Sequence, residues 1–150
     1  MARKQKPSIT FASAVWDESD IGIKNDEYVE FDFSRDSLDL WEVSYNDLIP
    51  YLYMEAFDPK KLWTRHHLSE KIEKVINRWN AGGKISPMLL VLNGNGEKLE
   101  ISSGNHRFSV FVAFVNQMGL NPTIPFLIGS SEKSWIQQNI KSAIYKRTIK

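Results

Sequence analysis

The sequence predicts a mixed α/β domain of the α+β class, and three patterns carry that expectation. Helical and strand-like periodicities alternate through the second half of the chain. The apolar run Met88-Leu89-Leu90-Val91-Leu92 is followed by Asn93-Gly94-Asn95-Gly96, the composition of a strand feeding a hairpin. Residues Asn105 to Met118 are apolar nearly all the way round, so a helix there belongs in the interior. With 150 residues, 42% of them hydrophobic and 25% charged, one domain has enough apolar surface to bury roughly 68–70% of what the unfolded chain exposes.

Taken in order, residues 1–7 read as a short basic tail closed by Pro7, mobile as termini tend to be. Nine carboxylates lie between Asp17 and Asp39, and Val29-Glu30-Phe31-Asp32-Phe33 alternates with the period of a half-buried strand. Leu38 to Val43 is the next expected strand. Ser44 to Ile49 reads as a turn or short helix stopped by Pro50, with irregular chain to Phe57. Asp58-Pro59 has the form of a helix start, an Asp N-cap with proline in the first turn. Leu62, His66, Leu68, Ile72, Val75, Ile76 and Trp79 then recur at helical spacing, giving one or two helices between Asp58 and Asn80. Ala81-Gly82-Gly83 ends them.

Pro87 introduces the strand Met88–Leu92, and the Asn-Gly turn, expected to supply positive-φ residues, returns the chain into a strand over Glu97 to Ser102. After Gly104 comes the buried helix Asn105 to Met118, stopped by Gly119, then a strand from Ile124 to Ile128. The last expected element is a helix from Ser131 to about Arg147, with Trp135, Ile136, Ile140 and Ile144 on its inner side. No internal repeat or low-complexity segment is present.

Composition narrows the chemistry. The chain has no cysteine, which excludes disulfides, thiolate nucleophiles, cysteine zinc sites and iron–sulfur clusters. Its apolar runs fall far short of the ~20 residues of a bilayer span, and the N-terminus has no signal-peptide core, so a cytoplasmic protein without a membrane partner is expected. The net charge of +1 conceals a gradient: residues 1–50 carry 5 basic and 11 acidic side chains, 51–100 carry 8 and 6, and 101–150 carry 6 and 1. Either the acidic part folds over the basic part, or the basic face is kept for an anionic partner.

Chemistry concentrates in Ser102-Ser103-Gly104-Asn105-His106-Arg107, a strand end, a glycine turn and the first turn of the buried helix. A helix N-terminus carries unpaired N–H groups and about half a positive charge, so a cation there is unfavourable by roughly 0.3–1 kcal/mol. Arg107, with His106 beside it, stands at that end. An anion between the amides of Asn105 to Arg107 and the Arg107 fork would reverse the sign, and phosphate suits the fork. Gly104 lets the backbone approach closely. The competing partners for Arg107 are a carboxylate from the acidic segment and water.

The order of a helix, a glycine loop, Ile85-Ser86-Pro87-Met88-Leu89-Leu90-Val91-Leu92, a hairpin, Leu99-Glu100-Ile101-Ser102-Ser103-Gly104-Asn105-His106-Arg107, a helix and Ile124-Pro125-Phe126-Leu127-Ile128 resembles the ParB/sulfiredoxin-like superfamily. The likeness covers about residues 38 to 128. It implies a small mixed sheet with a buried helix after the Gly-Asn-His-Arg turn, and phosphate binding by the family's Gly-x-His-Arg signature, matched by Gly104, His106 and Arg107.

By the same resemblance the ligand is a nucleoside triphosphate, ATP or CTP, with magnesium, held by Ser103, Gly104, Asn105, His106 and Arg107. Basic and polar side chains of the preceding helix, Arg65, His67 and Lys71 with Lys61 and Thr64, are implied contributors. Glu55, His106 and Arg107 are the implied catalytic residues of NTP hydrolysis or phosphoryl transfer, with Asp58 as a second carboxylate in the Glu55 loop; capping by Asp58 and solvent exposure of Glu55 are their alternatives. Sulfiredoxin repair is not implied, because Asn105 stands where those enzymes carry cysteine. A full chromosome-segregation protein is not implied either, since about 30 residues after Ile124 leave room for one helix and not for a helix-turn-helix domain. A stand-alone member of this size suits a phage or plasmid setting.

His66-His67 invites a metal reading, but adjacent helical residues point about 100° apart, so no protein metal site is expected. Lys133, Lys141, Lys146, Arg147 and Lys150 interleave with Trp135 and Tyr145, which fits either a solvated amphipathic helix or a surface for single-stranded nucleic acid. The alternative function is therefore a non-enzymatic nucleic-acid- or protein-binding factor. A ParB-like nuclease comes third, for want of an acidic metal cluster near the turn.

Overall fold

The computed structural model describes residues 8–19, 35–52 and 70–149. Five strands form one sheet in the order β3-β2-β4-β1-β5. They are β1 (Leu38–Ser44), β2 (Met88–Leu92), β3 (Leu99–Ser103), β4 (Thr123–Gly129) and β5 (Ile144–Ile149). The helices are α1 (Tyr45–Leu48), α2 (Glu70–Asn80), α3 (Asn105–Met118) and α4 (Lys133–Asn139), with 3₁₀ turns at Ile49–Tyr51 and Ser130–Glu132. The mixed α+β class is thus as expected.

The sheet is antiparallel except between β2 and β4, which run parallel through Met88↔Phe126 and Leu89↔Leu127. That parallel pair follows from connectivity: the hairpin turns β2 into antiparallel β3, and α3 carries the chain back so that β4 lies beside β2. Strand alternation divides the core. Trp41, Val43, Met88, Leu90, Ile124, Phe126 and Ile128 join the main cluster, with Ile72, Ile76 and Trp79 of α2 and Phe108, Phe111, Val112 and Val115 of α3. Leu38, Leu40, Leu89, Leu127 and Ile149 form a second cluster on the other face, each with at most 1% of its surface exposed. Buried aliphatics of this size contribute about 1.5–3 kcal/mol apiece.

Both long described helices end as their sequences direct. The N–H of Gly83 bonds the carbonyl of Arg78 at 2.8 Å, just past α2, and Gly119 N–H bonds Val115 at 2.8 Å, just past α3. Residues 8–17 form a strap across α2 and α3, joined to Ile85 through Val15 and Asp17.

Four expectations are corrected. The helix foreseen over 131–147 is α4 alone; the chain turns at Ile140 to Ser142 and returns as β5 along the free edge of β1. Ile144, Tyr145, Thr148 and Ile149 favour extended backbone, and a sheet edge beside them decides against continuing the helix. Ile136 and Ile140 keep their inward positions, whereas Ile144 is 61% exposed. Pro50 lies inside a 3₁₀ turn that ends at Leu52 instead of stopping the preceding helix. In the hairpin only Gly96 takes positive φ; Asn93 instead closes the turn by accepting the N–H groups of Glu97 and Lys98 on Oδ1, at 3.2 and 3.3 Å. The returning strand runs Leu99–Ser103, not from Glu97. The Val29–Phe33 strand, the Asp58 helix start and the basic tail 1–7 lie outside the described residues.

Candidate functional site

The glycine turn sits at the sheet edge, where β3 hands over to α3. Gly104 has φ +108 and ψ 20, in the left-handed region, and serves as N-cap without a side chain to offer the helix. A Cβ placed there would lie 2.8 Å from Nη2 and 3.0 Å from Nε of Arg107, and 2.9 Å from Cβ of Met88. The Arg107 guanidinium is therefore folded back over the turn that begins its own helix. The first helical bond is Phe108 N–H to the Gly104 carbonyl at 2.9 Å, and no acidic residue occupies the first turn.

The sequence next to this turn anchors it. Phe108, Ser109 and Val110 are fully buried, so α3 enters the core at once, while Gly104, His106 and Arg107 are partly exposed. The turn therefore combines a rigid base with a reachable rim. Helix-end amides, a close-approach glycine and a forked cation together have the chemistry of an oxyanion site.

The structure brings Gly104, His106 and Arg107 onto one turn. The backbones of Ser103 and Asn105 flank Gly104, as the last residue of β3 and the first of α3; their side chains lie outside the described residues. Lys71 is in the first turn of α2, its side chain likewise undescribed. Glu55, Asp58, Lys61, Thr64, Arg65, His66 and His67 all lie outside the described residues. Among the described residues no three His, Asp or Glu side chains converge as a metal centre would require.

Two arrangements escaped sequence reasoning. Asp39, 1% exposed, accepts Ser130 Oγ at 2.6 Å and Thr148 Oγ1 at 2.7 Å. Each hydroxyl spends its single proton on the carboxylate, so Ser130 must accept from Ser37 Oγ at 2.8 Å and Thr148 from Tyr145 Oη at 2.5 Å. Two hydroxyl arms thus converge on one buried acid. The available signal was a carboxylate between Leu38 and Leu40 in an apolar strand. The second is an open cleft of about 590 Å³ lined by Asn46, Asp47, Tyr51, Gln138, Lys141 and Ser142 among others, with none of the Gly104 turn in its wall. Ser142 Oγ donates to Asp47 Oδ2 at 2.7 Å, and with Ser44 it holds the Asp47 carboxyl below its usual range.

Three of the C-terminal cations are engaged with the protein itself. Lys133 Nζ lies 4.3 Å from the centre of the Tyr145 ring, Lys146 stands 3.9 Å from Glu42, and Arg147 donates to the Glu18 carbonyl. No described helix is long and apolar enough to cross a membrane. No family model matches the chain, and neither a curated protein nor a solved structure matches it.

Proposed function

We infer that this chain binds a nucleoside triphosphate, ATP or CTP, through its phosphates at the Gly104–Arg107 turn. One observation carries the reading: the Arg107 guanidinium folds back over the turn that starts α3, in contact range of Gly104, and the first turn of α3 contains no acidic residue. An anion between the helix-end amides and the Arg107 fork would be favoured by both. The motif resemblance to ParB/sulfiredoxin-like domains points to the same ligand and to the same three residues.

The chemistry that follows is NTP hydrolysis or phosphoryl transfer with magnesium. In it Arg107 and the amides balance charge on the transferring group, His106 handles a proton beside it, and Glu55 orients the attacking hydroxyl. The experiment is a thermal-shift panel of nucleotides, with and without magnesium, on the unmodified protein and Arg107→Ala. At about 100-fold excess over Kd a ligand adds roughly 2.7 kcal/mol, a rise of about 5–10 °C for a chain of this length. The rise is expected for a triphosphate and lost in Arg107→Ala; a flat panel overturns the assignment. Steeply salt-dependent DNA or RNA binding that survives Arg107→Ala would favour the non-enzymatic factor instead.

A further inference from the structure

We propose that the hairpin turn between β2 and β3 is a site of spontaneous covalent modification, at which Asn95 loses ammonia through a succinimide and ends as aspartate or isoaspartate. The turn holds two Asn-Gly pairs, Asn93-Gly94 and Asn95-Gly96. In such a pair the glycine nitrogen attacks the amide carbon of the preceding side chain and closes a five-membered ring. A residue without Cβ leaves that nitrogen uncrowded and lets the backbone rotate into the ring geometry. A Cβ placed on Gly94 or Gly96 would meet nothing within 4 Å, so neither nitrogen is shielded by the rest of the protein.

The two pairs are held very differently. Asn93 is pinned from every side: its N–H donates to the Lys98 carbonyl at 2.8 Å, and its carbonyl accepts from Gly96 N–H at 2.9 Å. Its Oδ1 accepts from the N–H groups of Glu97 and Lys98 at 3.2 and 3.3 Å. Turning the Asn93 side chain and carbonyl into a ring breaks both Oδ1 bonds and the bond to Gly96. Asn95 is exposed, and no hydrogen bond within the described residues engages its amide. Its ring closure gives up only the bond from Gly96 N–H to the Asn93 carbonyl. Two hydrogen bonds fewer to break favour Asn95 by about tenfold or more.

The step balances as an amide hydrolysis. The Gly96 nitrogen gives its proton to solvent and bonds to Cγ of Asn95; the Cγ–Nδ2 bond breaks, and Nδ2 takes up a proton and leaves as ammonia. Water then opens the ring at either carbonyl. Opening at Cγ restores the main chain with an aspartate, and opening at the main-chain carbonyl routes the chain through Cγ, one carbon longer. That extra carbon falls beside Gly96, whose carbonyl accepts from Trp135 Nε1 at 2.7 Å. The isoaspartyl form therefore loosens the hairpin's hold on α4, where Trp135 also packs edge-on against Tyr51 with ring centres 5.9 Å apart.

The test is incubation of the full chain at mildly alkaline pH, with peptide mass spectrometry that resolves isoaspartate from aspartate. In the folded protein Asn95 is expected to convert about tenfold faster than Asn93 or more, and in urea the two rates should converge. Tryptophan emission should shift as isoaspartate accumulates, whereas Asn95→Asp, which has the charge without the extra carbon, should keep the emission of the unmodified protein. Folded protein in which Asn95 stays intact while the same residue converts in urea overturns the proposal. So does conversion led by Asn93, because the hydrogen bonds around it would then not protect it. Emission unmoved by isoaspartate would remove the tie to α4.

Discussion

The guanidinium of Arg107 lies so near Gly104 that one added methyl group would stand 2.8 Å from Nη2. The two residues are three apart in sequence and define one object: the glycine makes room, and the arginine fills it. The positive φ at Gly104 turns β3 into α3 at the sheet edge, and burial of Phe108 one turn later fixes the direction in which α3 leaves. Local backbone chemistry and core packing thus bring a cation back over the turn that starts α3.

Gly104→Ala is therefore expected to lower stability. The residue would be held in left-handed backbone and pressed against Arg107 and the Met88 side chain, a cost of about 2–4 kcal/mol. Urea denaturation should show the loss as a lower midpoint with an unchanged slope. A cost below about 0.5 kcal/mol, the range of indifferent surface changes, would show that the turn can relax and that Gly104 is not required there.

Asp39 gives a second test, because its carboxylate receives two hydroxyl protons out of water's reach. Asp39→Ala removes the acceptor shared by Ser130 and Thr148, each of which keeps a hydroxyl partner in Ser37 or Tyr145, so the loss of two hydrogen bonds should cost about 1–3 kcal/mol. Asp39→Asn retains one acceptor oxygen and should cost less. Equal costs in chemical denaturation would mean that the two arms are not pinned by the acid.

Much of this fold was legible in the sequence because the informative segments carry their own punctuation. Pro87 and the Asn-Gly turn bracket β2, and Gly104 and Gly119 bracket α3, so local rules and tertiary packing agree there. The Gly104 turn was legible for the same reason, since Arg107 at a helix start is a local anomaly. What was not legible depends on distant partners. The strap is held by Asn80, about 70 residues away, and the hydroxyl arms on Asp39 come from Ser130 and Thr148. No spacing rule links residues that meet only after the sheet has closed.

The C-terminal segment makes that distinction measurable. Helical spacing puts Ile140 and Ile144 on one inner face, but the structure leaves Ile140 2% exposed and Ile144 61% exposed. Ile140→Ala should cost about 2–4 kcal/mol, as a buried truncation, and Ile144→Ala under about 0.5 kcal/mol. Comparable losses in thermal or urea unfolding would restore the continuous helix and remove β5 from the sheet.

Stability should also fall at both ends of the pH scale, for separable reasons. A hydrogen bond from Ser19, helped by Lys84 and Arg78, holds the Asp17 carboxyl below its usual range, and Ser142 and Ser44 do the same for Asp47. A lowered folded pKa means that the unfolded chain takes up protons first, so this contribution is complete above about pH 4 and is lost as acid carries the pH down through the folded value. Burial pushes the Tyr45 phenol up, which has the opposite placement: its contribution is complete below about pH 10 and is lost as the pH rises through the folded value. Asp17→Asn with Asp47→Asn should flatten the acid limb of the unfolding midpoint against pH without moving the alkaline one, and Tyr45→Phe should do the reverse. Tyr45 packs against Phe108 and Phe111 with ring centres 6.2 and 5.9 Å away, and Phe keeps that ring. An alkaline limb unchanged by Tyr45→Phe would assign the high-pH loss to other groups and detach it from this packing.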